Sequence, residues 1–203
     1  MFEPGLSSAI GAVLAGGRGS RLGGAKATVE LGGKPLIAYP ITALAEAGIE
    51  PVVVAKRGSE LPPLPCRTVW EPEEPRHPFT GLVSALRDAG QRPLVAVACD
   101  MPFLTPALLS HLAAAGEPLV LPESDGELHP FPGRYEASLL PALEQALAAG
   151  EPLRHTLERL QPRRLGAEQL GQLGPPEQLL FNVNTPSDLE RARRLLPRSP
   201  SAR

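Results

Sequence analysis

The chain has 203 residues, 42% of them hydrophobic, and a net charge of −2. This is ordinary globular composition, which excludes collagen-like or disordered classes, and the length allows one domain with a substantial core or two small ones at most. No apolar run approaches the roughly 20 residues of a membrane helix, Met1 to Leu6 lacks a secretory leader's pattern, and no basic block suits a nucleic-acid backbone. The expectation is a cytoplasmic protein that engages neither nucleic acid nor membrane. Two cysteines, Cys66 and Cys99, do not make a disulfide framework, and Cys99 in its apolar run reads as a small buried hydrophobe. Only three of the 20 basic residues are lysines (Lys26, Lys34 and Lys56), and asparagine occurs only at Asn182 and Asn184.

In chain order, Ile10 to Leu14 is a short apolar run ending in glycines and predicts a buried strand. Pro35 to Ala47 predicts a helix closed by Gly48 and bent at Pro40. Val52 to Val54 predicts the next strand, and Leu61 to Pro78 a proline-rich loop with a short strand at Arg67 to Trp70. Thr80 to Ala89 reads as a helix, and Leu94 to Cys99 as a third strong strand. Thr105-Pro106 starts a helix through Ala115; Pro118 to Leu121 is strand-like, and Pro122 to Pro132 is rich in turns. Glu136 to Ala149 and Leu153 to Leu160 read as helices, Gln178 to Val183 as a last strand, and Pro186 to Leu196 as a closing helix. Continuous apolar strands alternating with helices imply an α/β fold, a mainly parallel sheet with helices on both faces. A single domain is expected over residues 1–196, with 197–203 as a disordered tail.

The segment from Leu14 to Lys26 joins a strand to a helical stretch through glycines. Such a segment brings backbone N–H groups together as a phosphate nest, and Arg21 and Lys26 add the cations a triphosphate needs. It is not a dinucleotide fingerprint, because Leu22 stands where a third glycine is required. Nor is it a P-loop, since neither Lys26 nor Lys34 has the Gly-Lys-Ser/Thr context. Asp100 follows an apolar strand directly, and an acid at that edge of a parallel sheet points into the ligand crevice. A carboxylate there suits Mg²⁺; a capping or turn role is the alternative. On the predicted strand, Asn182 and Asn184 would share one face, while Asn184 or Thr185 could equally cap the helix at Pro186.

Together these residues resemble the molybdenum cofactor guanylyltransferase family and its nucleotidyltransferase relatives. The matching segments are Leu14-Ala15-Gly16-Gly17, Arg21-Leu22-Gly23-Gly24, Lys26, Gly33-Lys34-Pro35-Leu36, Cys99-Asp100-Met101-Pro102-Phe103 and Phe181 to Leu189. The resemblance implies a Rossmann-like nucleotidyltransferase fold, with Leu14 to Gly17, Lys26 and Asp100 on the nucleotide and Asp100 on Mg²⁺. It further implies His129, Asn182 and Asn184 near the acceptor, and GTP and molybdopterin as substrates. Proteins that deliver molybdopterin and receive the product are implied as partners. The paired glycines resemble the guanine-using members. Leu22 and Ala25 depart from the pattern, as do Ala55-Lys56 where Asn is common and Pro152-Leu153 where an arginine pair is expected. One of Glu71, Glu73 and Glu74 would do the job of a guanine-contacting aspartate, or the three form a solvated loop face.

A phosphate monoester acceptor is already largely ionised near neutral pH. The absence of a convincing Ser-His-Asp or Cys-His set is consistent with chemistry that rests on alignment and charge at phosphorus. Lys26 and Arg21 would neutralise departing pyrophosphate. The competing expectations are a related transferase using CTP or a sugar-phosphate acceptor, and a non-catalytic GTP-binding module.

Overall fold

The structure, a computed structural model, describes residues 8–16 and 26–196. Its elements in chain order begin with β1 (Ile10–Leu14), a 3-10 turn at Lys26–Thr28, and the short strands β2 (Glu30–Leu31) and β3 (Lys34–Pro35). Next come α1 (Ala38–Glu46), β4 (Glu50–Ala55), β5 (Thr68–Trp70), α2 (Pro78–Ala89), β6 (Leu94–Ala98) and α3 (Pro106–Ala114). The second half contains β7 (Leu119–Ser124), β8 (Glu127–Leu128), β9 (Gly133–Tyr135), α4 (Leu140–Ala149) and α5 (Leu153–Arg159). It ends with β10 (Arg163–Leu165), α6 (Ala167–Leu173), α7 (Pro176–Leu179) and α8 (Pro186–Leu195).

The main sheet runs β10-β7-β9-β6-β1-β4-β5, with β8 paired to β7. Pairings of β1 with β4 and β6, of β4 with β5, and of β10 with β7 are parallel; β9 lies antiparallel between β6 and β7. Side chains alternate across the strands, so both faces are apolar and each needs a cover. Val13, Val53, Val97 and Val120 pack on one face with Ile41 and Leu44 of α1, Leu108 and Leu112 of α3, and Leu170 of α6. Ile10, Ala12, Val54 and Leu121 pack on the other with Phe79 and Leu86 of α2, Leu143 of α4 and Leu157 of α5. This is the mainly parallel α/β architecture expected from the sequence.

Two expected elements differ. Pro35 belongs to the hairpin β2–β3, because Gly32 and Gly33 both adopt positive φ (57° and 78°), the backbone that a two-residue type I′ turn demands. The helix therefore begins only at Ala38, which places Pro40 in its first turn, where its missing N–H has no partner to lose. Gln178 to Val183 is not a strand: Pro176 opens the short helix α7, and the chain continues irregularly from Leu180.

That irregular stretch is held by a third apolar cluster, in which Phe181, Val183 and Ala192 pack on Leu31 and Leu36 of the hairpin. Thr185 then caps α8, accepting from Asp188 N–H at 3.2 Å while Asp188 Oδ2 accepts from Thr185 N–H at 2.8 Å. Reciprocal bonding of this kind fixes where a helix starts. The cluster and the cap together lay the segment before α8 beside the turn that begins at Lys26.

Candidate active site

The carboxyl ends of β5, β4, β1 and β6 lie along one edge of the sheet, where open parallel sheets bind ligands. The ladder continues past the strands: Ala15 N–H donates to Val54 O at 2.8 Å and Cys99 N–H to Leu14 O at 3.1 Å. Ala15 and Gly16, Lys56, Glu71 and Asp100 are thereby carried to the same edge.

Asp100 is 5% exposed. Its carbonyl accepts from Val183 N–H at 2.9 Å, which stitches β6 to the segment before α8. The Lys26 ammonium donates to Asp100 Oδ2 at 2.6 Å and also to Asn184 Oδ1. A buried carboxylate is costly without a cation, and Lys26 supplies it from the first residue after the glycine-rich stretch. Asn184 is held in turn by its own N–H on Asp188 Oδ2 at 3.0 Å. Lys26, Asp100 and Asn184 thus meet in one cluster. Gly17 and Arg21, with the rest of residues 17–25, lie outside the described residues.

The two asparagines do not share a face, because there is no strand to align them. The Asn182 amide turns back and donates to Leu180 O at 3.1 Å, whereas Asn184 points to Lys26. His129 lies at the same edge on β7's side of the sheet: its Nε2 is 2.7 Å from Ser124 Oγ, and Ser124 ends β7, two strand positions from β6. Burial, and then the Arg154 guanidinium, hold the imidazole below the usual histidine range, so it is neutral near pH 7. Cys99 is free and buried, and burial followed by the neighbouring Asp100 charge pushes its thiol up to about 12.

Of the three candidate glutamates, the structure singles out Glu71. Glu73 and Glu74 are exposed, and Glu74 is paired with Arg76 at 3.0 Å. Glu71 is 7% exposed, and its carboxylate lies against Gly16: a Cβ added there would come within 1.9 Å of Oε1. Gly81 is the neighbour on the other side, its added Cβ 3.0 Å from Oε2. Burial raises the Glu71 carboxyl, while the nearby Lys56 ammonium, 3.8 Å from Oε1, pulls it back. The sequence signal that could have identified Lys56 was its rarity, as one of three lysines.

No group of three His, Cys, Asp or Glu suited to a metal occurs among the described residues. A Mg²⁺ ion does not require one, since it keeps waters and uses one or two carboxylates plus substrate phosphates. The contact of Lys26 with Asp100 shows that this carboxylate already accepts a cation.

The description "MobA-like NTP transferase domain" matches residues 11–165, which include all but the first residue of β1, the glycine-rich stretch and Asp100. The chain belongs to the MobA-like NTP transferase family. Within this family it is similar to the molybdenum cofactor guanylyltransferase of Cereibacter sphaeroides, with 34% identity covering 92% of this chain and 96% of that one. Among solved structures it resembles molybdopterin-guanine dinucleotide biosynthesis protein A from Archaeoglobus fulgidus, with a TM-score of 0.78 and 30% identity over 91% of this chain and 97% of the other. The fold alone is shared with 2-C-methyl-D-erythritol 4-phosphate cytidylyltransferase from Thermus thermophilus, with a TM-score of 0.67 and 18% identity over 92% and 98% of the two chains. A MobA-like transferase accounts for a sheet edge that carries Gly16, the buried Asp100 and the Lys26 ammonium together.

Proposed function

We propose that this MobA-like transferase moves GMP from GTP to the terminal phosphate of molybdenum-bound molybdopterin, giving the guanine dinucleotide cofactor and pyrophosphate. The observation that carries the reading is the convergence of Lys26, Asp100 and Asn184 at the carboxyl edge beside β1. A phosphate oxygen of the acceptor would bond to the α-phosphorus as the α–β bridging bond breaks, and the electron pair would leave with pyrophosphate. The acceptor oxygen is already ionised, so the chain has no proton to remove. Lys26, with Arg21, would hold the leaving phosphates, and the backbone of Leu14 to Gly17 would fix the nucleotide.

Asp100 is the residue that would hold Mg²⁺, with Asn184 beside it. When bound, the ion would neutralise charge on the triphosphate oxygens. The Glu71 carboxylate, acceptor-only when ionised, suits the edge of guanine, whose ring N–H and 2-amino group both donate. Adenine and cytosine each place an acceptor on that edge. His129 and Asn182 would stand on the acceptor side, along with the neutral Ser124–His129 pair.

Pyrophosphate release from GTP, CTP and ATP, each with Mg²⁺ and molybdopterin, tests the reading. GTP is expected to be turned over in preference by at least about tenfold, the discrimination of a site that hydrogen-bonds its substrate. A CTP preference would transfer the assignment to a cytidylyltransferase, and GTP binding without turnover would reduce the chain to a binding module.

A further inference from the structure

We propose that Lys56 is the positioning residue for nucleobase selection, tethering the chain immediately after Glu71 so that its carboxylate stays fixed against Gly16. The proposal rests on the reading of Glu71 as the guanine contact and adds what holds that contact in place.

Lys56 immediately follows β4, at the same sheet edge as the glycine-rich segment, and its side chain is 17% exposed. An ammonium has three donors. Pro72 O takes one at 2.6 Å and Glu73 O another at 3.1 Å, and Glu71 Oε1 lies 3.8 Å away. With two donors spent on backbone and its charge facing Glu71, Lys56 is a tether and not a spare cation for phosphate. The backbone reinforces it: Glu71 N–H donates to Ala55 O at 3.0 Å, and Trp70 is in register with Ala55 across β4 and β5. Residues 70 to 73 are therefore clamped to the end of β4 at several points, with the Lys56 ammonium on the carbonyls of Pro72 and Glu73 and the Arg57 guanidinium over the Trp70 ring at 5.6 Å.

The carboxylate has little room. A Cβ at Gly16 would collide with Oε1 and one at Gly81 would press on Oε2 at 3.0 Å, and the nearest polar partner of the Glu71 carboxylate among the described contacts is the Lys56 ammonium at 3.8 Å. A nearly buried carboxylate with free acceptor capacity points to a ligand with donors. Its value for discrimination depends on staying ionised and on pointing one way, because a protonated or rotated carboxyl would present a donor or miss the base edge. Burial works against the ionised form, and the Lys56 charge is the named counterweight. Where the family commonly has asparagine after this strand, the lysine of this chain reaches further and carries charge.

The test is calorimetric binding of GTP, ITP and ATP, each with Mg²⁺, to the intact protein, so that it needs no acceptor and no turnover. All three ligands share the triphosphate, so a general loss of fold or phosphate grip lowers them together. Lys56→Met is expected to reduce the ratio of GTP to ATP affinity by about tenfold, and GTP to ITP by less, with Lys56→Arg retaining most of both ratios. Lys56→Gln, which keeps a donor without the charge, should fall between and serves if the methionine variant folds poorly. If Glu71→Gln collapses the ratios and the three Lys56 variants leave them unchanged, the tether is refuted and the guanine contact stands. If Glu71→Gln leaves the ratios unchanged as well, the reading of Glu71 fails and takes this proposal with it.

Discussion

Two lysine–carboxylate pairs sit on the same sheet edge, and they are built in opposite ways. Lys26 meets Asp100 directly at 2.6 Å and shares itself with Asn184, so all its visible bonds are to side chains. Lys56 stands 3.8 Å from Glu71 and gives its short bonds to main-chain carbonyls of Pro72 and Glu73. A cation bound only by side chains can exchange partners when a triphosphate arrives, at the cost of rotamer changes alone. One bonded to main chain can leave only by releasing a loop. The first arrangement suits a group that works on phosphate, the second a group that keeps a recognition surface in shape.

Substitutions can break this contrast at either end. Asp100→Asn keeps shape and removes charge; it should lower Mg²⁺-dependent pyrophosphate release at least about a thousandfold while the circular dichroism spectrum is unchanged. Near-normal turnover in that variant would remove Asp100 from the reaction. Lys26→Ala should cost about a hundredfold to a thousandfold in kcat/KM, the size of one positioned charge stabiliser, and a loss below threefold would make Lys26 as structural as Lys56. Next in size, Asn184→Ala should cost about tenfold, consistent with one lost hydrogen bond to a charged group. Asn182→Ala, whose amide is spent on Leu180, should change kcat by less than about twofold; equal losses in the two variants would restore the paired role expected from the sequence.

The smallest effect is on stability. Burial raises the folded-state carboxyl of Glu71 above its unfolded value, so the folded protein holds that proton more tightly. Stability from this position is therefore greatest in acid and declines as pH rises through the raised value. Glu71→Gln should melt about 2 °C above the parent at pH 7.5, with the gap closing toward pH 4, as followed by thermal melts across that range. A gap that widens in acid would reverse the sign of the shift.

The strands β1, β4 and β6 were legible because their residues are apolar on both faces, and Lys26, Asp100 and Asn184 were legible because each belongs to a short motif beside such a strand or helix. β9 was not. Its central residue is Arg134, 4% exposed, whose guanidinium donates to Ala113 O at 2.9 Å and to Glu136 Oε1 at 2.7 Å. A charged residue that serves carbonyls at the end of α3 carries no hydropathy signal for a buried strand. The hairpin was hidden by Pro35, which reads equally well as the start of a helix. Lys56 was noticed as a rare lysine and as a departure from the family pattern, but its tethering role was not, since bonds to backbone carbonyls leave no trace in the identities of Pro72 and Glu73.

Lys26 and Asn184 are 158 positions apart, whereas Lys26 and Asp100 are separated by 74. Synthesis runs from the amino end, so a growing chain owns the first pair long before it can complete the second. Until Phe181, Val183 and Ala192 emerge, Leu31 and Leu36 beside the hairpin turn lack their buried partners and, of this cluster, have only Val29, Tyr39 and Phe103 to pack on. Transiently uncovered apolar surface of this sort is what binds chaperones and drives aggregation. The same segment that covers the hairpin delivers Asn184 to Lys26. Burying the hairpin's leucines and completing the Lys26–Asp100–Asn184 cluster are therefore one event on the assembly path, and a chain stalled before it is recognisable by both deficits at once.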